Sequence, residues 1–292
     1  MNLDSVAVVV VTYSPGPVLD AFVASLDAAA PGIHLVLSDN GSTDGVPQRV
    51  AAERDNTALL VNPDNPGYGA AINAAVAQLA PQYSTVLVCN SDIELHPGAL
   101  EALGDAVRPD DVACVGPRIL DAEGSVYPSA RRLPSIRDGV GHALFVRAWP
   151  RNPWTRRYLQ EERSHASEPV ATGWLSGACL LIKRDAFDAV GGFDDGFFMY
   201  FEDVDLGRRF GVAGYHNVFA PGATVSHIGG STTSRYPERM LRAHHESAYR
   251  YLRNKHPEWW KRPALWVVRL GLAVRLRLEV RRALREHRRV AP

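Results

Sequence analysis

Residues 6–14 read VAVVVVTYS. Valine is stiff at χ1 and favours extended backbone over helix. An apolar run that does not alternate with polar residues has no side to offer to water. It therefore reads as a strand covered on both faces, as in a parallel sheet. The residues after it, 17-PVLDAFVASLDAA-29, bring Leu19, Phe22, Val23 and Leu26 to one side at helical spacing. A buried strand followed at once by an amphipathic helix is the start of a βα alternation.

The alternation continues. The stretches 34-HLVLSDNGSTDG-45, 57-TALLVNPDNPGYG-69 and 84-STVLVCNSDIEL-95 are each an apolar strand that ends in polar residues. The segment 69-GAAINAAVAQLA-80 is a small-residue helix between the last two. A helix over 97–107, the strand 112-VACVGPRIL-120, a strand over 173–184, and 217-NVFAPGATVSHIGGST-232 follow. Residues 124–168 are rich in Arg, Pro and Trp with weak periodicity, and read as a long excursion. The pattern predicts an α/β fold: a mostly parallel sheet flanked by helices, closed by a helical C-terminal extension.

Ligands of such sheets bind beyond the carboxyl ends of the strands. Four polar clusters fall there: Thr12-Tyr13, Asp39-Asn40, Asn65-Pro66-Gly67 and Asn90-Ser91-Asp92. Asp92 on a sheet rim suits Mg²⁺, which takes few protein oxygens and leaves room for substrate phosphates, although Asn, Ser and Asp also make turns. Asp39 either accepts a hydrogen bond from a nucleobase N–H or forms an Asx turn. The stretch 67-GYGAAINA-74 lacks the third glycine of the dinucleotide fingerprint, so its glycines serve close backbone approach or a helix cap. His227 follows a strand and could complete a metal site begun by Asp92.

The segment 198-FMYFEDVDLGRRF-210 sets Glu202, Asp203 and Asp205 behind aromatic residues and ahead of Arg208 and Arg209. A helix starting near Asp203 would bury Leu206, Phe210 and Ala213 and leave Asp205 outside, free to pair with either arginine. Taken alone, the spacing favours carboxylates at a helix start over a catalytic base.

Composition narrows the rest. With 46% hydrophobic and 22% charged residues, the 292-residue chain is that of a globular protein with a sizeable core. Cys89, Cys114 and Cys179 match no zinc spacing and read as buried thiols of a cytosolic protein. No signal peptide and no spanning helix are evident. Ten basic and two acidic residues crowd 261–292. The tail thus carries +8 and the body the opposite charge, since the chain holds 32 residues of each sign. On a helical wheel, Leu272, Leu276, Val280, Ala283 and Leu284 face away from Arg275, Arg281, Arg282, Arg285, Arg288 and Arg289, with Val274 and Leu278 interrupting. Such a basic amphipathic helix fits an anionic membrane surface; the acidic body argues against nucleic acid. Trp259, Trp260 and Trp266 offer an interface to the membrane or to a second copy in a homo-oligomer.

Taken in order, these motifs, and above all 177-GACLLIKRDAFDAVGGFDDGFFMYFEDVDLGRR-209, resemble the family 2 glycosyltransferases, which have the GT-A fold. The similarity runs over about residues 6–232 and is greatest to actinobacterial rhamnosyltransferases that use dTDP-rhamnose and a polyprenyl-diphospho-N-acetylglucosamine acceptor in cell-wall linker synthesis. It implies a catalytic domain over 1–232, with 1–95 binding the nucleotide sugar and 96–232 the acceptor. A membrane-associating region over 233–292 would hold the enzyme on the inner face of the plasma membrane. Thr12, Tyr13, Asp39, Asn65, Gly67, Asn73, Asn90 and Ser91 would line the donor site. Asp92 and His227 would hold Mg²⁺ or Mn²⁺, with Asn90 standing where the family's DXD motif has its first acid. Asp203 would be the base, and Trp174, Gly177 and Glu202 would face the acceptor. Two other readings remain at this point: a nucleotidyltransferase, whose basic phosphate loop is missing from VTYSPGP, and a non-catalytic binding protein.

Overall fold

Strand β1 (Val6–Thr12) sits mid-sheet, and its valines divide by parity. Val6, Val8 and Val10 enter one hydrophobic cluster, Ala7 and Val9 the other, and all five are fully buried. Successive side chains of a strand point to opposite faces, so only a strand with helices on both sides tolerates an unbroken apolar run. The structure is a computed structural model that describes residues 2–134, 166–227 and 237–290; for Pro237 and 282–290 it describes the backbone alone.

Around β1 the sheet order is β3-β2-β1-β4-β11-β6-β12-β5. The members are β2 (His34–Asp39), β3 (Thr57–Val61), β4 (Thr85–Asn90), β5 (Ile93–Leu95), β6 (Val112–Leu120), β11 (Cys179–Lys183) and β12 (His216–His227). Two short strands join at the side: β7 (Val126–Tyr127) on β6 and β9 (Val170–Thr172) on β12. A separate ribbon pairs β8 (Ala130–Arg131) with β10 (Trp174–Leu175). The helices are α1 (Val18–Ala29), α2 (Val46–Glu53), α3 (Tyr68–Ala77), α4 (Ala99–Ala106), α5 (Arg184–Ala189), α6 (Glu202–Val212), α7 (Pro237–Lys255) and α8 (Arg262–Val290). On α1, Leu19, Phe22 and Leu26 are fully buried, as their spacing requires.

The sheet is mixed rather than mostly parallel. β1 to β4 are parallel to one another, and β12 is parallel to β6, but β11 runs antiparallel to both β4 and β6. The expected single strand over 173–184 is broken at Ser176–Ala178, where the chain crosses the rim and the Asn90 N–H donates to the Ala178 carbonyl at 2.9 Å. A strand that enters beside the end of β4 has to run back along it. β5 pairs with β12 at the far edge, so residues 1–95 and 96–227 share one sheet. Helix α2 has no strong sequence pattern because it buries only Pro47 and Val50. The end of the 217–232 strand and most of the 124–168 excursion lie outside the described residues. All three cysteines are free and buried.

The tail differs from its expected orientation. Helix α8 packs along α7, and Leu272, Leu276 and Val280 are the half-buried residues on the packed side. Val274 and Leu278, which seemed to interrupt the pattern, are exposed instead, in line with Trp266 and Leu270.

Candidate functional site

Four strand ends and the turn before α6 border one cavity of about 650 Å³, a typical size for a ligand site. From β1 come Thr12 and Tyr13, from the β2 end Asn40, from the β3 loop Asn65 and Gly67, and from the β4 end Asn90, Ser91 and Asp92. His227 ends β12 beside them, and Trp174, Gly177, Glu202 and Asp203 complete the set. Of the residues singled out in the sequence, Asp39 and Asn73 do not line it.

Asp39 is buried behind the cavity wall. Its carboxylate accepts from the Thr12 hydroxyl at 2.8 Å, from the Ser42 N–H at 3.1 Å, and from the Ser42 hydroxyl. This is the Asx-turn alternative, and it fixes Thr12 and the loop rather than offering a free carboxylate; Asn40 reaches the cavity in its place. Asn73 is fully engaged elsewhere: its amide nitrogen donates to the Phe193 carbonyl at 2.8 Å and to Asp195 at 2.7 Å, and its oxygen accepts the Phe193 N–H at 2.9 Å. It clamps α3 to the 193–195 turn. Gly67 serves close approach of backbone. Its φ is +100°, and a Cβ there would lie 2.3 Å from the Phe198 carbonyl oxygen, the same oxygen that accepts the Tyr68 N–H at 3.0 Å.

Asp92 and His227 meet across the rim. Asp92 Oδ1 is 3.1 Å from His227 Nε2, and the Asn90 amide nitrogen is 3.3 Å from that same nitrogen. Among the described residues no cluster of three or more His, Cys, Asp or Glu could hold a metal. Two protein ligands still fit a hard divalent ion. The 3.1 Å separation is close to the roughly 3.0 Å between neighbouring corners of an octahedron with bonds of about 2.1 Å, and Mg²⁺ fills its other positions with water and phosphate oxygens.

The acid pair opens α6 after two residues in strained backbone. Tyr200 and Phe201 have φ of +67° and +66°, a left-handed conformation rare outside glycine. Such strain costs about 1–3 kcal/mol per residue and persists only where the surroundings impose it. Here they do: Ser247 of α7 donates to the Met199 carbonyl at 2.9 Å, His244 stands edge-on to both rings, and the buried Tyr251 packs beside Phe201. The kink turns Glu202 and Asp203 together into the cavity.

Asp203 Oδ2 accepts the Gly177 N–H at 2.9 Å and Oδ1 accepts the Val204 N–H at 2.8 Å. Burial raises its pKa, while those N–H groups and the Arg131 charge pull the other way. Glu202 has less help. One of its oxygens is buried without a partner among the described residues, and burial, followed by the Asp203 charge, pushes its pKa up to about 8. Of the two carboxylates, Asp203 is the one whose charge the neighbouring N–H groups and Arg131 favour. Asp205 pairs with the arginines as expected, but it is buried rather than outside. It is 1% exposed and pairs with Arg208 at 3.0 Å and Arg209 at 2.6 Å. Arg209 also donates to the Val190 and Gly192 carbonyls, so the pair braces α6. Leu206 and Phe210 are buried as expected, but Ala213 is exposed at the helix end.

The structure adds residues that no motif had marked: Tyr68, Arg131, Arg132, Ser176, Arg239, Met240 and His244. The Tyr68 hydroxyl donates to the Gly177 carbonyl at 2.6 Å and so fixes the turn that holds Asp203. Single arginines in the 124–168 excursion, or on one face of α7, carry no pattern that would set them apart from surface charge.

The family model described as "Glycosyltransferase like family 2" matches residues 4–245. The chain is 46% identical to the N-acetylglucosaminyl-diphospho-decaprenol L-rhamnosyltransferase of Mycobacterium tuberculosis, over 98% of this chain and 96% of that protein. A shorter match, 34% identical over 28% of this chain and 31% of the other protein, is to the rhamnosyltransferase WbbL of Escherichia coli. Among solved structures, GalNAc-T7 with UDP, GalNAc and Mn²⁺ superposes with TM-score 0.58 at 16% identity, over 78% of this chain and 44% of that one. The mannosyltransferase PcManGT of Pyrobaculum calidifontis with GDP-Man and Mn²⁺ also gives TM-score 0.58, at 15% identity, over 93% and 69%.

Proposed function

Because the chain belongs to glycosyltransferase family 2 and has the GT-A fold, we propose that it moves L-rhamnose from dTDP-rhamnose to a polyprenyl-diphosphate-linked N-acetylglucosamine. The observation that carries this reading is the presence in one cavity of a metal-type pair, Asp92 and His227, and a carboxylate held by two backbone N–H groups, Asp203. The similarity to the mycobacterial rhamnosyltransferase, which extends over nearly both whole chains, supports the choice of sugar and acceptor.

Asp92 and His227 would hold Mg²⁺ or Mn²⁺, which supplies neutralisation of the charge that develops on a diphosphate leaving group. Thr12, Tyr13, Asn40 and Asn65 line the nucleoside side of the cavity. Asp203 takes the proton from the acceptor hydroxyl as it attacks the anomeric carbon. Gly177 and Val204 aim the carboxylate, and burial favours the neutral form of Glu202 beside it, which limits the addition of a second charge. One base and one metal would give a single displacement with inversion; a double displacement needs a carboxylate nucleophile against the sugar. The aromatic loop over 197–201 keeps water, a competing acceptor, away from the donor sugar.

The same reading places the enzyme on the inner face of the plasma membrane. No helix among the described residues is long and apolar enough to cross a membrane. Trp266, Leu270, Val274 and Leu278 form an exposed row at i, i+4 spacing on α8, with Arg277 and Arg281 nearby. A bilayer carrying both the acceptor and anionic headgroups suits an apolar row set among arginines.

The test is transfer itself. Protein, dTDP-rhamnose, a short-chain N-acetylglucosaminyl diphospholipid and Mg²⁺ should give a lipid heavier by one deoxyhexose. EDTA should stop the reaction, and Mg²⁺ or Mn²⁺ should restore it. Transfer that survives thorough chelation would remove the metal role of Asp92 and His227.

A further inference from the structure

Cations gather on the side of the cavity away from the strand ends. Arg131 comes from β8, Arg132 follows it, and Arg239 comes from the start of α7. Among the described residues, none of the three has an Asp or Glu within ion-pair distance. Other arginines that brace the described structure, Arg54, Arg209 and Arg250, do have one. Instead, two of the three lie over rings. The Arg131 guanidinium is 5.6 Å from the centroids of both Tyr127 and Trp174, and Arg239 is 4.5 Å from that of Phe198. Arg131 Nε also donates to the Pro128 carbonyl at 2.7 Å, so stacking and this bond fix the guanidinium plane and leave its two terminal nitrogens for an anion.

We propose that Arg131, with Arg132 and Arg239, is the subsite for the diphosphate of the lipid-linked acceptor. This rests on the reaction assigned above and extends it to acceptor recognition. The donor diphosphate is already provided for at Asp92 and His227, which end β4 and β12. The arginines flank the base instead. Arg131 pairs in register with Trp174, and three residues on, the Gly177 N–H holds the Asp203 carboxylate. A sugar whose hydroxyl meets Asp203 carries its anomeric phosphate one ring-width away. The β8–β10 ribbon that links Asp203 to Arg131 sets the two groups side by side. Guanidinium forks match phosphate oxygens in a bidentate manner, and two phosphates offer enough oxygens for more than one arginine.

The experiment measures binding without donor. The probes are N-acetylglucosaminyl-diphospho-farnesol and the neutral farnesyl N-acetylglucosaminide, with inorganic diphosphate as competitor. The wild-type protein should favour the diphosphate probe by about 100-fold, since charge-assisted hydrogen bonds are each a matter of about tenfold or more. Arg131→Gln should lose about tenfold and the Arg131→Gln/Arg239→Gln pair should fall to the affinity of the neutral probe. Arg131→Lys should keep part of the preference, and dTDP-rhamnose should bind all variants alike. Raised salt should narrow the gap between probes. The subsite is overturned if wild type does not distinguish the probes, or if the variants lose both probes and donor equally, as a collapsed wall would. It is also overturned if inorganic diphosphate binds as tightly as the lipid probe, which marks a free-anion site. Intact probe discrimination without any sugar transfer would sink the reaction reading and leave the subsite standing.

Discussion

The two sides of the cavity are built in different ways. The side proposed for the donor is a row of strand ends in which each residue follows a buried run, and the sheet fixes its position to within the register of β1, β2 and β4. The side proposed for the acceptor is assembled from a two-residue ribbon, a strained turn and the first residues of two helices, drawn from positions 131, 174–177, 198–203 and 239–244. A rim set by sheet register tolerates little change, whereas loops and helix starts can be exchanged one at a time. The comparison can be broken at several points.

The largest effect belongs to the donor side. Asp92→Ala should lower kcat by about 10⁴-fold, because the metal contributes several kcal/mol of charge stabilisation in the transition state. The acceptor Kd should stay unchanged. A loss of acceptor binding alone would show that Asp92 does not serve the donor. Asp203→Asn comes next, with a loss in kcat of about 10³-fold at unchanged dTDP-rhamnose affinity, in the range of a positioned base.

Gly67 joins the two sides, since its bare Cα lets the Phe198 loop lie on the start of α3. Gly67→Ala should destabilise the fold by about 2–3 kcal/mol, through the positive φ and the clash with backbone. A melting temperature equal to wild type would show that the loop is free to move off.

Glu202 separates the sides by pH. Its folded pKa of about 8 lies above the ordinary carboxylate value, so between pH 4.5 and 8 the folded protein holds a proton that the unfolded chain has released. Stability therefore falls as pH rises through that window. Glu202→Gln should remove this slope and stabilise the protein at pH 8 with little change at pH 4.5. An unchanged slope in denaturant titrations would mean that Glu202 is ionised throughout. Because activity needs Asp203 ionised, turnover should fall on the acid side, through a pKa above the usual aspartate range.

The smallest effect is expected farthest from the cavity. Leu270→Ser with Leu278→Ser should weaken binding to anionic vesicles by about tenfold and leave turnover of a soluble acceptor intact. The pair Leu272 and Leu276, packed against α7, should instead affect stability when changed. The reverse outcome would restore the orientation first read from the helical wheel.

What the sequence discloses follows the same division. Unbroken apolar runs announce β1, β2 and β4, and the polar residues after them announce Thr12, Tyr13, Asn65, Asn90, Ser91 and Asp92 as cavity wall. Asp39 and Asn73 were misplaced because a strand-end carboxylate or a helical Asn looks the same whether it faces a ligand or ties down a turn. The antiparallel β11 was hidden because a strand's direction has no local signature. On the acceptor side, Arg131 owes its place to Trp174, paired across a ribbon from 43 positions away. The left-handed Tyr200 and Phe201 depend on α7, and no propensity for positive φ marks them. The tail's wheel was legible, but which stripe faces α7 is a packing outcome. Half-burial of Leu272, Leu276 and Val280 leaves the second, interrupted stripe outside.

The most direct test of the mechanism is the anomeric configuration of the transferred sugar, read by NMR on the lipid product. A single displacement driven by Asp203 as base gives a linkage inverted relative to the donor. A retained configuration would contradict the assignment of Asp203 as base and require a covalent or front-face route through this cavity.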